Sequence, residues 1–334
     1  MGNGKPPHNA TIRDVARLAG VSVATVSRAV NGHPSVSPDT RDRINRVAES
    51  LNYTPHAGAR SLSIAKTQAI GVVLPDLFGE FFSELVRGLD RRAGELGYHL
   101  MLSSLHADLA RVTRAVSTMR GRVDGVIIMA PQLPVKTLAA TLPAGMPTLL
   151  LNSERNRTHP VISFDNQSGA VAVTRHLIGL GRRHIVHIAG PAGNLDARER
   201  ADGYRRAMAE FAPDAPVTVV EGRFDDLSGA AALRDLLAAG TQVDAVFAAN
   251  DMMAIGALTW ARQNGLSVPG QIAVAGFDDI PLAHYLGLTT MRVHVAELGG
   301  RAVTRLAAMI DGDDAGKKLE IITPDLVIRE STRQ

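Results

Sequence analysis

The chain alternates between two periodicities. In residues 11–53 apolar positions recur at helical spacing, with Ile12, Val15, Ala16 and Ala19 on one stripe, Val26 and Val30 on a second, and Ile44, Val47, Ala48 and Leu51 on a third. The punctuation agrees with three short helices. Thr11 followed by Asp14 reads as a capping box, Gly20 suits a helix C-terminus, and Ser22 suits an N-cap for a helix over 23–30. Asn31-Gly32 closes that helix, and Ser37-Pro38-Asp39 opens the third with a cap, a first-turn proline and an acid. Beyond residue 68 the pattern changes to strand-length apolar runs at 69–74, 98–103, 125–129, 148–151, 185–189, 217–220, 243–248 and 272–275. Amphipathic stretches such as 81–96 and 168–180 separate them. Alternating strands and helices predict parallel sheets in α/β units, and the length of this part predicts two lobes rather than one sheet.

Composition narrows the chemistry. The 334 residues are 45% hydrophobic, sufficient for real cores, and contain no cysteine, which excludes disulfides, thiolate metal sites and cysteine nucleophiles. No secretory h-region and no run of about 18 apolar residues is visible, so a cytoplasmic protein with no membrane partner is expected. No Walker spacing, HExxH or Gly-x-Ser-x-Gly elbow occurs, so no catalytic residue, metal site or cofactor is expected and the chain does not read as an enzyme. His184 and His187 stand three apart on a strand and make a poor metal pair. Charge is uneven: residues 1–66 carry nine Lys or Arg against four Asp or Glu, whereas the remainder carries 27 against 29. A basic head on a near-neutral body points to a polyanion as the head's partner.

Two short helices joined by a three-residue turn and braced by a third form a helix-turn-helix arrangement, whose second helix enters the major groove of duplex DNA. On this reading Val23, Ala24 and Arg28 face base edges, the first two against thymine methyls and Arg28 toward guanine. Thr11, Ser22, Thr25, Ser27, Asn31, Ser37, Thr40 and Tyr53 surround the helix with groups suited to phosphates. The string TIRDVARLAGVSVATVSRAVNG, continued by VSPDTRDRINRVAESLNYTPHAGARSL, resembles the DNA-binding head of the lactose/galactose repressor family of bacterial transcription regulators.

That resemblance implies an all-α helix-turn-helix head over residues 1–55, a hinge helix and linker over 56–67, and a two-lobed α/β effector domain of the periplasmic-binding-protein type over 68–334. The first lobe would hold about 68–165 and 294–322, the second about 166–293 and 323–330. It implies that the hinge pairs with its twin on DNA and wedges Leu62 into the minor groove beside His56 and Ala59; His56 stands where the family usually has Asn. Segments 71–76, 81–82, 123–126, 165–169, 184–190, 197–204, 249–251 and 276–279 extend the resemblance through the body. Carried over residue by residue, effector contacts fall at Asp76, Phe81, Phe82, Asn152, Arg200, Phe224, Asn250 and Asp278. The implied protein is a homodimeric repressor of a palindromic operator in double-stranded DNA, controlled by a small molecule such as a sugar or sugar derivative. A purine-responsive corepressor-dependent regulator and a sugar-binding receptor without DNA function are the alternatives.

Overall fold

A computed structural model describes residues 10–30, 33–53, 66–77, 79–105, 109–142, 145–154, 158–313, 316 and 318–333. It divides into two units, 1–67 and 68–334, each treated separately below.

The head contains α1 (Ile12–Ala19), α2 (Val23–Val30) and α3 (Pro38–Ser50). Asp14 accepts from the Thr11 backbone N–H at 3.0 Å and from the Thr11 hydroxyl at 2.7 Å. Gly20 takes the left-handed conformation at φ 66°, and the Val21 N–H closes the turn onto the Ala16 carbonyl at 3.0 Å. Ser22 caps α2 by accepting from the Thr25 N–H at 3.1 Å. Ser37 precedes α3 as expected, but its hydroxyl donates to Thr40 Oγ1 at 2.9 Å and makes no capping bond to the backbone. Val15, Ala16, Ala19, Val26, Ala29, Val36 and Ile44 form the core, with Val30 and Leu51 at its margin.

The body is built on two parallel sheets. The first has six strands in the order β11-β5-β4-β3-β1-β2: β1 (Ala69–Leu74), β2 (His99–Ser104), β3 (Gly125–Met129), β4 (Thr148–Leu151), β5 (Val161–Phe164) and β11 (Leu319–Ile322). Helices α4 (Glu80–Glu95) and α12 (Val295–Asp311) cover one face through Leu85, Leu89, Leu298 and Val303. Helices α5 (Leu109–Met119) and α6 (Val135–Thr141) cover the other through Val112, Val116 and Leu138. Burial on both faces explains why β1, β3 and β4 read as unbroken apolar runs.

The second sheet has the order β7-β6-β8-β9: β6 (Ile185–Ala189), β7 (Thr218–Glu221), β8 (Ala245–Ala248) and β9 (Ala273–Ala275). On one face lie α7 (Asn166–Gly179) and α8 (Leu195–Phe211), with Val173, Leu177, Tyr204 and Met208 in the core. On the other lie α9 (Asp226–Ala238) and α10 (Asp251–Gln263), with Leu233, Met253 and Leu258 buried. The short helix α11 (Pro281–Tyr285) and an antiparallel pair, β10 (Thr290–Arg292) with β12 (Asp325–Val327), complete this part. The chain passes between the sheets three times, after β5, after β10 and after β11.

All eight predicted strands are present, shifted by at most two residues. Four more, β5, β10, β11 and β12, were not legible. Each is short and broken by a polar residue, Ser163 in β5, Thr290 and Arg292 in β10, Glu320 in β11 and Asp325 in β12, so no apolar run signals a strand. His187 is a core residue: its Nδ1 lies 2.9 Å from the Phe247 carbonyl and its ring stacks on Tyr204. Burial drives its pKa down to about 3.

Candidate functional sites

In the head, the same helix supplies core and bare surface. Val26 and Ala29 of α2 are buried, while Ser22, Val23, Ala24 and Arg28 are exposed and Thr25 and Ser27 partly so. Val23, 42% exposed, leaves an apolar side chain in water at the first helical position, the place from which a recognition helix meets base edges. Thr11 and Ser37 are exposed, Thr40 partly exposed, and the Tyr53 ring packs at the edge of the head core. Asn31, His56, Ala59 and Leu62 lie outside the described residues.

In the body, Asp76, Asn152, Phe224, Asn250 and Asp278 follow strand ends, Phe81 and Phe82 lie in the first turn of α4 and Arg200 lies on α8, and several of them meet in one buried cluster. Arg200, on α8 and 3% exposed, donates from Nε to Asn166 Oδ1 at 2.9 Å and from Nη1 to the Ala249 carbonyl at 2.5 Å. Its Nη1 is 3.3 Å from Asp278 Oδ1, an ion-pair distance off the line of a hydrogen bond, and its guanidinium lies 3.9 Å over the Phe277 ring. Asn152, at the end of β4, donates to Asp196 Oδ2 at 3.3 Å. Two further bonds tie the start of α8 to strand ends of the first sheet: the Leu195 N–H donates to the Pro131 carbonyl at 2.9 Å, and Arg198 pairs with Glu154 at 3.0 Å.

The backbone is strained at these points. Asn152, Phe224, Asp278 and Asp279 have φ of 44°, 64°, 116° and 55°, unusual for residues with a Cβ and most of all for Phe. Phe224 is accommodated because position 190 is glycine: a Cβ there would sit 2.2 Å from the ring. Asn250 caps α10 by accepting from the Met253 N–H at 3.0 Å and donates to the Phe224 carbonyl at 3.0 Å. Its amide thus has a structural task beside the effector contact expected of it. Phe81 and Phe82 pack edge to face at 5.4 Å, and Phe81 touches the cores of both sheets. Asp76 is partly buried, and its carboxylate accepts from the Leu77 N–H at 2.7 Å. Asp279 diverges from Asp278 and is held by Arg292 and Arg329, each at 2.6 Å.

The sequence reading missed Asn166, Asp196 and Glu199 as members of this cluster. Asn166 Nδ2 bonds Asp196 Oδ1 at 2.9 Å and Glu199 Oε2 at 3.0 Å. One signal was available, since Asp196 stands four residues before Arg200 and so shares its helix face. Asn166 follows β5, whose short run was not read as a strand. Burial of Asp251 also went unread: it accepts from the Ile280 N–H at 2.9 Å and the Thr290 hydroxyl at 2.5 Å. Burial, then the charge of Asp278, push its carboxyl well above the usual range.

A three-helix head with a bare second-helix face, joined in one chain to a two-sheet parallel body enclosing a buried polar cluster, defines a helix-turn-helix transcription regulator with a small-molecule sensor body. Comparison with known proteins is concordant. Residues 11–56 match the family model "Bacterial regulatory proteins, lacI family", and residues 174–332 match "Periplasmic binding protein-like domain". The chain is similar to the HTH-type transcriptional regulator GalR of Escherichia coli K12, 34% identical across 96% of this chain and 95% of GalR. It is also similar to the ribose operon repressor of the same strain, 36% identical across 96% of this chain and 99% of that one. Among solved structures, the Lac repressor dimer bound to operator and the anti-inducer ONPF aligns at TM-score 0.87 and 30% identity, covering 97% of this chain and 99% of that one. The chain belongs to the lacI family of bacterial regulatory proteins.

Proposed function

We propose that the protein is a repressor that binds a near-palindromic operator as a homodimer and responds to a sugar or sugar derivative held in its body. The observation that carries the DNA-binding half is α2, whose inner face is core and whose outer face presents Val23, Ala24 and Arg28 to solvent. Ser22, Thr25, Ser27, Ser37 and Thr40 are placed to contact phosphates and set register, with Thr11, Asn31 and Tyr53. The head is assigned to 1–55 and the hinge and linker to 56–67, with His56, Ala59 and Leu62 at the minor groove. The effector domain is 68–334, with lobe limits at 165/166, 293/294 and 322/323, where the chain crosses between sheets.

Effector contacts are assigned to Asp76, Phe81, Phe82, Asn152, Arg200, Phe224, Asn250 and Asp278. Support comes from the buried cluster in which Arg200 pairs with Asp278 and Asn152 bonds Asp196. The protein acts by binding alone and carries no catalysis. Effector binding alters how the two lobes sit and therefore whether the hinges of a dimer can pair. The test is a thermal-shift screen of sugars, sugar phosphates and nucleobases, with and without operator duplex. A ligand whose stabilisation changes when operator is present supports the reading and reports whether it is an inducer or a corepressor. Equal affinity for operator and scrambled duplex under every condition overturns it.

A further inference from the structure

The body is near neutral as a whole, yet one stretch of it is strongly basic. Residues 109–124, from the start of α5 to the residue before β3, hold Arg111, Arg114, Arg120 and Arg122 against a single acid, Asp124. The turn after α5 is fixed at both ends. Met119 and Val123 are buried, the Arg122 N–H donates to the Met119 carbonyl at 2.9 Å, and Gly121 takes the left-handed conformation at φ 74°. Between these anchors Arg120, Gly121 and Arg122 are exposed. Neither arginine has an ion-pair partner within 4.0 Å among the described residues. The other face of the sheet differs in sign at this end: α12 finishes on Asp311, with Asp313 just beyond.

This turn stands where the chain enters the body. The Gln68 N–H donates to the Asp124 carboxylate at 2.8 Å, and the Asp124 N–H donates to the Ala69 carbonyl at 2.8 Å. Strands β1 and β3 are parallel neighbours, so their first residues share one end of the sheet, and Arg122 is two residues from the junction. Asn152 and the effector cluster follow the opposite strand ends. Leu62, assigned above to the minor groove, precedes Gln68 by six residues. Six residues reach at most about 20 Å however they fold. A duplex engaged by the hinge is therefore tethered to this end of the first sheet. Duplex DNA carries one negative charge per about 1.7 Å of its axis, a dense counterpart for two cations with no partner of their own.

We propose that Arg120 and Arg122 form a second phosphate-binding site, on the body, that engages the DNA backbone beside the hinge. The proposal rests on reading the head and hinge as DNA-binding. A guanidinium presents a planar fork of donors that matches phosphate oxygens, and the anchored turn holds both forks at one place. Such contacts add affinity and salt dependence but read no bases.

The test uses the full chain and a near-palindromic duplex that the wild type selects from a randomised pool. Affinity is measured across a salt series for the wild type, Arg122→Gln, the double variant Arg120→Gln/Arg122→Gln, and Lys136→Gln. Lys136 is an exposed cation on α6, beyond the opposite end of β3 and about 17 Å along the strand. The expected result is a plot of log affinity against log salt that is shallower by about 1–2 for a dimer of Arg122→Gln and by about 1–2 more for the double variant. Lys136→Gln keeps the wild-type slope, and the ranking of single-base variants of the duplex stays the same in all four proteins. A wild-type slope in both arginine variants overturns the proposal, as does an equal loss in Arg122→Gln and Lys136→Gln, which would report net charge alone. A double variant no shallower than Arg122→Gln removes Arg120 and overturns the pair as proposed. A changed ranking of single-base variants overturns the phosphate role. If the wild type selects no duplex over scrambled sequence, the DNA-binding reading itself fails, a result separate from all of these.

Discussion

Asp278 is the residue in which charge, burial and a proposed effector contact meet. Burial raises its pKa, the Arg200 charge lowers it, the Asp196 charge raises it, and the balance stands at about 7. A hydroxyl that donates to this carboxylate favours the ionised form, lowers the pKa and releases a proton. Binding of a neutral effector should therefore tighten as pH rises through 7, and Asp278→Asn should remove the dependence together with most of the affinity. Calorimetry in buffers of different ionisation enthalpy reads the released proton directly, and zero proton exchange would contradict the assignment. For folding, the raised value means that the native state holds a proton which the unfolded chain loses near pH 4, so this group's contribution declines as pH rises from there toward 7. His187 works in the opposite sense. Its folded value of about 3 lies below the ordinary 6.5, so the unfolded chain takes up a proton first and stability is lost as pH falls from 6.5 toward 3. His187→Leu should forfeit about 1 kcal/mol with the bond to the Phe247 carbonyl, yet flatten the acid limb of a melting-midpoint profile. An acid limb as steep as that of the wild type would show that His187 does not govern it.

At the scale of elements, α2 is committed twice over, since the residues that anchor it and the exposed ones proposed to read DNA share eight positions. Arg28→Ala should leave the head folded, cost about 1–3 kcal/mol in operator affinity and relax preference at one base pair. Binding measured across all single-base operator variants checks this, and an unchanged pattern of preferences would count against Arg28 as a base reader. Helix crossing makes its own demand. A Cβ on Gly256 of α10 would sit 1.9 Å from the Asp226 carbonyl at the start of α9, so the two helices touch through backbone. Gly256→Ala must part them, with an expected loss of about 1–3 kcal/mol in a denaturant melt. Much of this level could be read in advance: the head helices start at the expected residues because the Thr11–Asp14 bond, the Ser22 cap and the fixed φ of Pro38 act through local backbone chemistry, and Gly20 ends α1 in the same way. The short strands β5, β10, β11 and β12 could not, because Ser163, Thr290 and Arg292, Glu320 and Asp325 leave none of them an unbroken apolar run, and β10, β11 and β12 pair with strands remote in sequence.

The whole molecule is a coupling device on the reading proposed above. If effector weakens operator binding by some factor, operator must weaken effector binding by the same factor, typically about 5–150-fold in such systems. Measuring both arms of that cycle at one salt concentration checks the coupling, and unequal factors would mean that a third state or a missing partner is involved. Salt must be held constant because the basic head makes operator affinity fall steeply as ionic strength rises. Local and periodic information sufficed for the three head helices, the parallel α/β character of the body, the bare outer face of α2 and most of the strand ends to which effector contacts are assigned. All of these follow from side-chain spacing and from caps that act within a turn or two. Which of those residues share one cluster was settled only when the chain crossed from the first sheet to the second after β5. That path brings Asn152, Asn166, Asp196, Arg200 and Asp278 within bonding reach across more than a hundred residues of sequence, and burial at that meeting point then sets their charges. Electrostatics and desolvation depend on distance in space, which no spacing along the chain encodes.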